Sequence, residues 1–321
     1  MQEKPLLSAT TLRIVILGAG SIGVAFAAAF ADAGAQVCLV DPDADRRAAV
    51  PAALTHQRKV IASAGLAREG QGEVAVAALA TGCLAGADLV LECGPEDLAI
   101  KQQIFADLLR DAEPTTLLAT ASSAITISRI VPDADGQARC LVAHPVNPPS
   151  VLRVVELVPA PGTEAATTDT AHDIFAVTGF APVILGHEIE GFVLNRLQGA
   201  VLREAYRLVD EGVTDVAGVD AIMRMGLGPR WALSGPFETA ELNTPGGIAA
   251  HAARMGPAYK RIGEGRGETV DWRADLVARV STERRTILAE ADIPARVAWR
   301  ARAVARLIAA RDKLMDQDSD D

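Results

Sequence analysis

Cysteine is scarce in these 321 residues, and the four present, Cys38, Cys83, Cys93 and Cys140, show no C-x-x-C spacing. No metal ligand set is expected from them, and three lie in apolar runs where a reduced, buried thiol is the ordinary state. A cytoplasmic protein without disulfides is the expectation. Basic blocks are missing too: the formal net charge is −10, and no arginine or lysine cluster adjoins the glycine turn at residues 18–23, which speaks against a nucleic-acid surface. No apolar run reaches the length that crosses a bilayer. The opening, residues 1–11, is polar with a Lys-Pro near its start and is unlike a signal peptide. A soluble protein with a small-molecule partner, its residues 1–11 disordered, is therefore expected.

What is present is a composition that is 50% apolar, enough over this length for a large core and two domains. Residues 12–41, LRIVILGAGSIGVAFAAAFADAGAQVCLVD, hold an apolar run, a glycine turn, a small-residue helix, a second apolar run and an acid. Gly18, Gly20 and Gly23 form G-x-G-x-x-G directly after the run 13–17, which allows a tight turn and close approach of a pyrophosphate to the backbone. The phosphates would meet the unpaired N–H groups of Ser21, Ile22 and Gly23 at a helix N-terminus. Asp41, about 20 residues on, can accept hydrogen bonds from the adenosine ribose and would repel a 2′-phosphate. With Pro42 and Asp43 following Asp41, and no arginine between it and Arg46, NAD is the expected cofactor.

Further along, residues 45–80 read as mainly helical, broken around Gly70 and Gly72. Runs at 87–93, 116–121, 140–143, 154–158 and 181–185 read as strands, completing a doubly wound sheet of about eight strands over residues 12–188. The pattern then changes to helical spacing. A helix is expected from Ile189 to Gly212, followed by helices at 215–225, 237–243, 247–255, 273–291 and 295–314. The expected architecture is an N-terminal Rossmann-type α/β domain with a C-terminal all-helical domain, 189–315, that binds substrate and forms a homodimer. Arg296, Arg300, Arg302, Arg306 and Arg311 on the last helix read as a solvated face, with no membrane contact. Residues 316–321 read as a disordered acidic tail.

The chemistry points to His144 and Glu156. His144 ends a strand in AHPVNPP, and Glu156 lies inside the apolar run VVELV, a costly place for an unpaired carboxylate. A carboxylate on one imidazole nitrogen fixes the tautomer and leaves the other to take a hydroxyl proton, the base an alcohol dehydrogenation needs beside a nicotinamide.

The strings GAGSIG, HPVNPP, ELVP and GFVLNRL together resemble the 3-hydroxyacyl-CoA dehydrogenase family over most of residues 12–260. HPVNPPS followed by GLGPRWALSGPFET is similar to the L-gulonate 3-dehydrogenase and lambda-crystallin branch, which acts on free 3-hydroxy acids. The resemblance implies His144 as acid/base, Glu156 as its orienting partner, Ser123 as a donor near the reacting oxygen and Asn195 as a substrate-positioning amide. It also implies that Asp41, Glu96 and Lys101 meet the cofactor, with Asn147 toward the substrate. Ser123 would equally cap a helix, and Asn195 would equally satisfy a backbone group. Arg230, read here as part of a loop, suits a substrate carboxylate through its planar fork, or else an ion pair at a dimer surface. A thioester substrate and a non-catalytic NAD-binding protein remain as competing readings.

Overall fold

The computed structural model describes residues 7–68, 70–267 and 274–296, together with Trp299, Leu307, Ala310 and Lys313. The chain divides into two compact units, 1–201 and 202–321, the divide falling inside a helix. The first unit is built on a single eight-stranded sheet. In chain order it contains β1 (Arg13–Leu17), α1 (Ser21–Asp32), β2 (Gln36–Val40), α2 (Ala44–Ser63), β3 (Val74–Ala77) and β4 (Leu89–Glu92). There follow α3 (Leu98–Asp111), β5 (Leu117–Thr120), the short α4 (Ile127–Ile130), β6 (Cys140–Pro145), β7 (Val154–Pro159), α5 (Ala165–Val177) and β8 (Ala181–Ile184).

The strand order is β3-β2-β1-β4-β5-β6-β7-β8. All neighbours run parallel except β6 and β7, which are antiparallel. Parallel strands covered on both faces need continuous apolar runs, and Ile14, Val15 and Ile16 of β1 are all buried. Helix α1 lies close on this sheet because Ala25, Ala27, Ala28 and Ala29 keep its inner face thin. Four aromatics then pin α1 to α5: the Phe30 ring centroid is 5.4 Å from Phe26, 5.8 Å from Phe175 and 5.6 Å from Phe180.

Several expectations need correction. The strand β3 lies inside the stretch read as helical; it is a short edge strand whose residues are half-buried or exposed, so it carries no strong apolar run. Cys38 and Cys83 are joined by a disulfide, against the reading of four free thiols; the fold brings Cα atoms 45 residues apart to 6.2 Å. Burial pushes the Cys140 thiol up to about 12, and burial likewise pushes the Cys93 thiol up, so these two stay protonated.

The long helix α6 (Leu194–Asp210) begins later than Ile189, because Gly191 (φ 76°) and Phe192 (φ 48°) take left-handed conformations that stop a helix from forming. Within the second unit lie α7 (Val216–Ile222), α8 (Gly228–Leu242), α9 (Gly247–Gly265) and α10 (Ala274–Ile287). A π turn, Met223–Leu227, joins α7 to α8, and α8 is interrupted at Gly235 (φ 56°) before Pro236. Helix α9 runs ten residues past the expected end at Met255, through Pro257. Arg300, Arg302, Arg306, Arg311 and the tail 316–321 lie outside the described residues, as does most of 1–11. Among the described residues no helix is long and apolar enough to cross a membrane.

Candidate active site

The glycine turn connects β1 to α1. Gly18 has φ 112°, and a Cβ there would lie 2.7 Å from the Cys93 carbonyl oxygen, so the turn demands glycine on conformation and space. At Gly23 a Cβ would lie 1.9 Å from the Gly18 carbonyl oxygen. Gly20 is different: it caps α1 with ordinary backbone angles, and a Cβ there would meet nothing within 4 Å. The protein's own packing does not need a glycine at that point. The open space over the exposed Gly20 and Ser21, beside the free N–H groups of Ser21, Ile22 and Gly23, fits a pyrophosphate.

Asp41 follows β2 and is buried. Its Oδ2 accepts from the Ala19 N–H at 2.8 Å and its Oδ1 from the Asp43 N–H at 2.9 Å, so the acid is tied to the glycine turn. The exposed Arg46 guanidinium comes within 3.8 Å of the same carboxylate. A pair of that exposure is weak, and the buried negative charge of Asp41 still opposes a 2′-phosphate.

His144 and Glu156 stand directly opposite each other in the antiparallel register of β6 and β7, both side chains buried. The Glu156 Oε2 lies 2.7 Å from His144 Nδ1. A carboxylate only accepts, so in the neutral ring Nδ1 carries the proton and Nε2 the lone pair. Glu156 Oε1 accepts from the Val193 and Leu194 N–H groups, at 2.8 and 3.0 Å, at the start of α6. The left-handed turn that shortens α6 thereby delivers those donors, and it seats the buried Phe192 ring 5.3 Å from the imidazole.

Asn195, one residue into α6, donates from Nδ2 to the Ser123 carbonyl oxygen at 3.0 Å. Ser123 itself is exposed. Its neighbour Ser122, a strand-end polar residue to which the sequence assigns no role, is buried and donates from Oγ to Glu96 Oε1 at 2.5 Å. Asn147 is exposed on the loop after β6.

Lys101 does not face solvent. Its ammonium is buried 2.7 Å from Glu92 Oε2 and 3.5 Å from Glu96 Oε2. Glu92, also unremarked in the sequence, ends β4 fully buried and accepts in addition from the Gly94 N–H at 2.6 Å and the Thr120 hydroxyl at 2.6 Å. The signal that singled out Glu156, a carboxylate closing an apolar run, is present in ADLVLEC as well.

Arg230 belongs to the first turn of α8, where Pro229 starts the helix, and not to a loop. Within the second unit it lines a cavity of about 510 Å³ with Trp231, Phe237, Ile248, His251 and Tyr259. Burial, and then the nearby Arg254, lower the pKa of His251, which favours its neutral form there.

The family model described as "3-hydroxyacyl-CoA dehydrogenase, NAD binding domain" matches residues 13–189, and the model of the corresponding C-terminal domain matches residues 191–277. A lambda-crystallin homolog of Bos taurus is 38% identical over 255 residues, 78% of this chain and 79% of that protein. A 3-hydroxyacyl-CoA dehydrogenase of Gibberella moniliformis is 34% identical over 251 residues, 77% of this chain and 78% of that one. An L-carnitine dehydrogenase of Streptomyces griseus is 33% identical over 255 residues, 77% of this chain and 74% of that one.

Proposed function

The chain belongs to the 3-hydroxyacyl-CoA dehydrogenase family, NAD-dependent enzymes acting on a CH–OH group, and from that membership we propose that it oxidises a free L-3-hydroxy acid. The product is the 3-keto acid, and the substrate is of the L-gulonate or L-3-hydroxybutyrate kind. Bound NAD supplies the hydride acceptor. His144 Nε2 takes the hydroxyl proton as the C–H hydride leaves, and Glu156 stabilises the imidazolium that results. The observation that carries the dehydrogenase reading is the buried Glu156 on His144 Nδ1, which fixes the tautomer with Nε2 as the acceptor. Ser123 and Asn195 are assigned to the substrate oxygen and its positioning.

The free-acid assignment rests on Arg230. Its guanidinium has no hydrogen bond or ion pair among the described residues, and it borders a mainly apolar cavity. A partly desolvated cation in such a setting calls for an anion, which the carboxylate of a free acid supplies. The test is NADH formation by the purified protein across a panel of free 3-hydroxy acids and 3-hydroxybutyryl-CoA. Arg230→Ala is expected to raise KM for the best free acid roughly 10–100-fold, with Arg230→Lys intermediate and NAD affinity unchanged. A preference for the CoA thioester over every free acid, consistent with the Gibberella relative's name, overturns the assignment. Silence across the whole panel would instead favour a non-catalytic NAD-binding protein.

The helical unit is also proposed to form a homodimer. Ile222, Met225, Phe237 and Ile262 are each more than half exposed, a large apolar area for a monomer. Light scattering should return twice the chain mass at micromolar concentration, and a monomer mass rejects the dimer.

A further inference from the structure

The strand order reverses at β1 and β4, and a dinucleotide lies across the carboxyl ends of the strands at such a switch point. The adenosine half belongs with Asp41 at the end of β2. The nicotinamide half therefore faces the ends of β4 and β5, where Glu92, Glu96, Lys101 and Ser122 form one connected cluster.

The charges in that cluster do not balance. Glu92 and Lys101 are both buried and cancel each other at 2.7 Å. Every outward option of Glu92 is used, since its two oxygens take Lys101, Gly94 and Thr120. Glu96 is the remaining acid, its side chain 42% exposed and its Oε2 at the longer 3.5 Å from the ammonium. Its other oxygen is fixed by the Ser122 hydroxyl at 2.5 Å and the Ser123 and Ala124 N–H groups at 3.1 and 3.2 Å. A negative charge is thus held rigidly where the cluster meets the cofactor crevice.

We propose that Glu96 selects the oxidation state of the cofactor. Its carboxylate, left unneutralised because buried Glu92 engages the Lys101 ammonium, favours the cationic nicotinamide of NAD+ over the neutral ring of NADH. Glu92 is the positioning residue: it touches no ligand and acts by deciding where the lysine's charge is spent. The inference concerns cofactor binding alone, so it stands or falls separately from the substrate assignment and from Arg230.

The experiment is calorimetric titration of the purified full-length protein with NAD+ and, separately, NADH. The quantity read is the ratio of the two dissociation constants, in which contributions common to both cofactors and to general folding cancel. Glu96→Gln keeps an acceptor oxygen for Ser122 and the two N–H groups and removes only the charge. It is expected to shift the ratio toward NADH on the order of tenfold, the effect of one partly screened unit charge at short range. Glu92→Gln should shift it the same way, because the released ammonium then neutralises Glu96. An unchanged ratio in Glu96→Gln, whatever the absolute affinities, overturns the proposal. An unchanged ratio in Glu92→Gln, with the shift present in Glu96→Gln, overturns the part assigned to Glu92. Should the Glu92 variant fail to fold, the partly exposed Glu96 position still carries the test.

Discussion

Replacing His144 with alanine is expected to lower turnover with NAD and the preferred 3-hydroxy acid by roughly 10²–10⁴-fold, the size of a lost general base. The imidazole is buried between Glu156 and Phe192, so the substitution leaves a small void near the end of β6 and does not disturb the glycine turn. NAD affinity is therefore expected to stay within about twofold, which separates lost chemistry from lost folding. Glu156→Gln should also be damaging, by roughly 10–100-fold, because a neutral amide stabilises an imidazolium poorly and no longer dictates the tautomer. Steady-state kinetics with calorimetry on the same preparations decide the matter. Near-normal turnover in either variant with unchanged NAD affinity would make the pair a structural one.

Phe30→Ala should destabilise the first unit by about 3–5 kcal/mol. Phe30 is fully buried on α1 and its ring meets the three other aromatics that hold α1 against α5. The collapse of so crowded a site is limited, since Phe26, Phe175 and Phe180 already pack on one another at 5.4–6.2 Å and cannot all follow the missing ring inward. For a unit of this size the melting temperature should fall by roughly 6–20 °C. Leu79→Ala, at a position 70% exposed, provides the contrast and should change stability by less than about 0.5 kcal/mol. Equal melting temperatures for the two variants would remove the aromatic cluster from the account of stability.

What the sequence made legible was what it encodes locally. The turn from Gly18 to Gly23, the helix behind it and Asp41 form a contiguous signal in which each part needs only its neighbours, and the structure reproduces it. Glu156 was legible because an acid in an apolar strand requires a partner, and the partner sits opposite. The obscured features depend on contacts across the chain. Val74–Ala77 pairs along one edge only and needs no apolar face on both sides, so its pattern is faint. The disulfide between Cys38 and Cys83 follows from a proximity that no local motif marks. Lys101 sits at a cofactor-matching position by sequence, yet its burial on Glu92 emerges only when β4 and α3 are set side by side. Arg230 reads as part of a loop from the glycines around it, whereas Pro229 starts a helix whose first turn carries it.

The antiparallel pairing of β6 and β7 constrains the spacing of the chain as well as its residues. Side chains alternate along a strand with a period of two, so sliding β7 by one residue against β6 would send the carboxylate of Glu156 to the far face and leave the imidazole without its proton partner. The alignment is set by the hairpin between them, closed by the Val146 N–H on the Val154 carbonyl and folded by the Val151 and Leu152 N–H groups on the Pro148 carbonyl. A single-residue insertion or deletion anywhere from 146 to 153 that shifted this register would break the His144–Glu156 hydrogen bond without altering either residue of the pair. The length of that hairpin therefore matters to the His144–Glu156 pair as much as the two residues do, and point substitutions within it are a gentler class of change than any that alter its count.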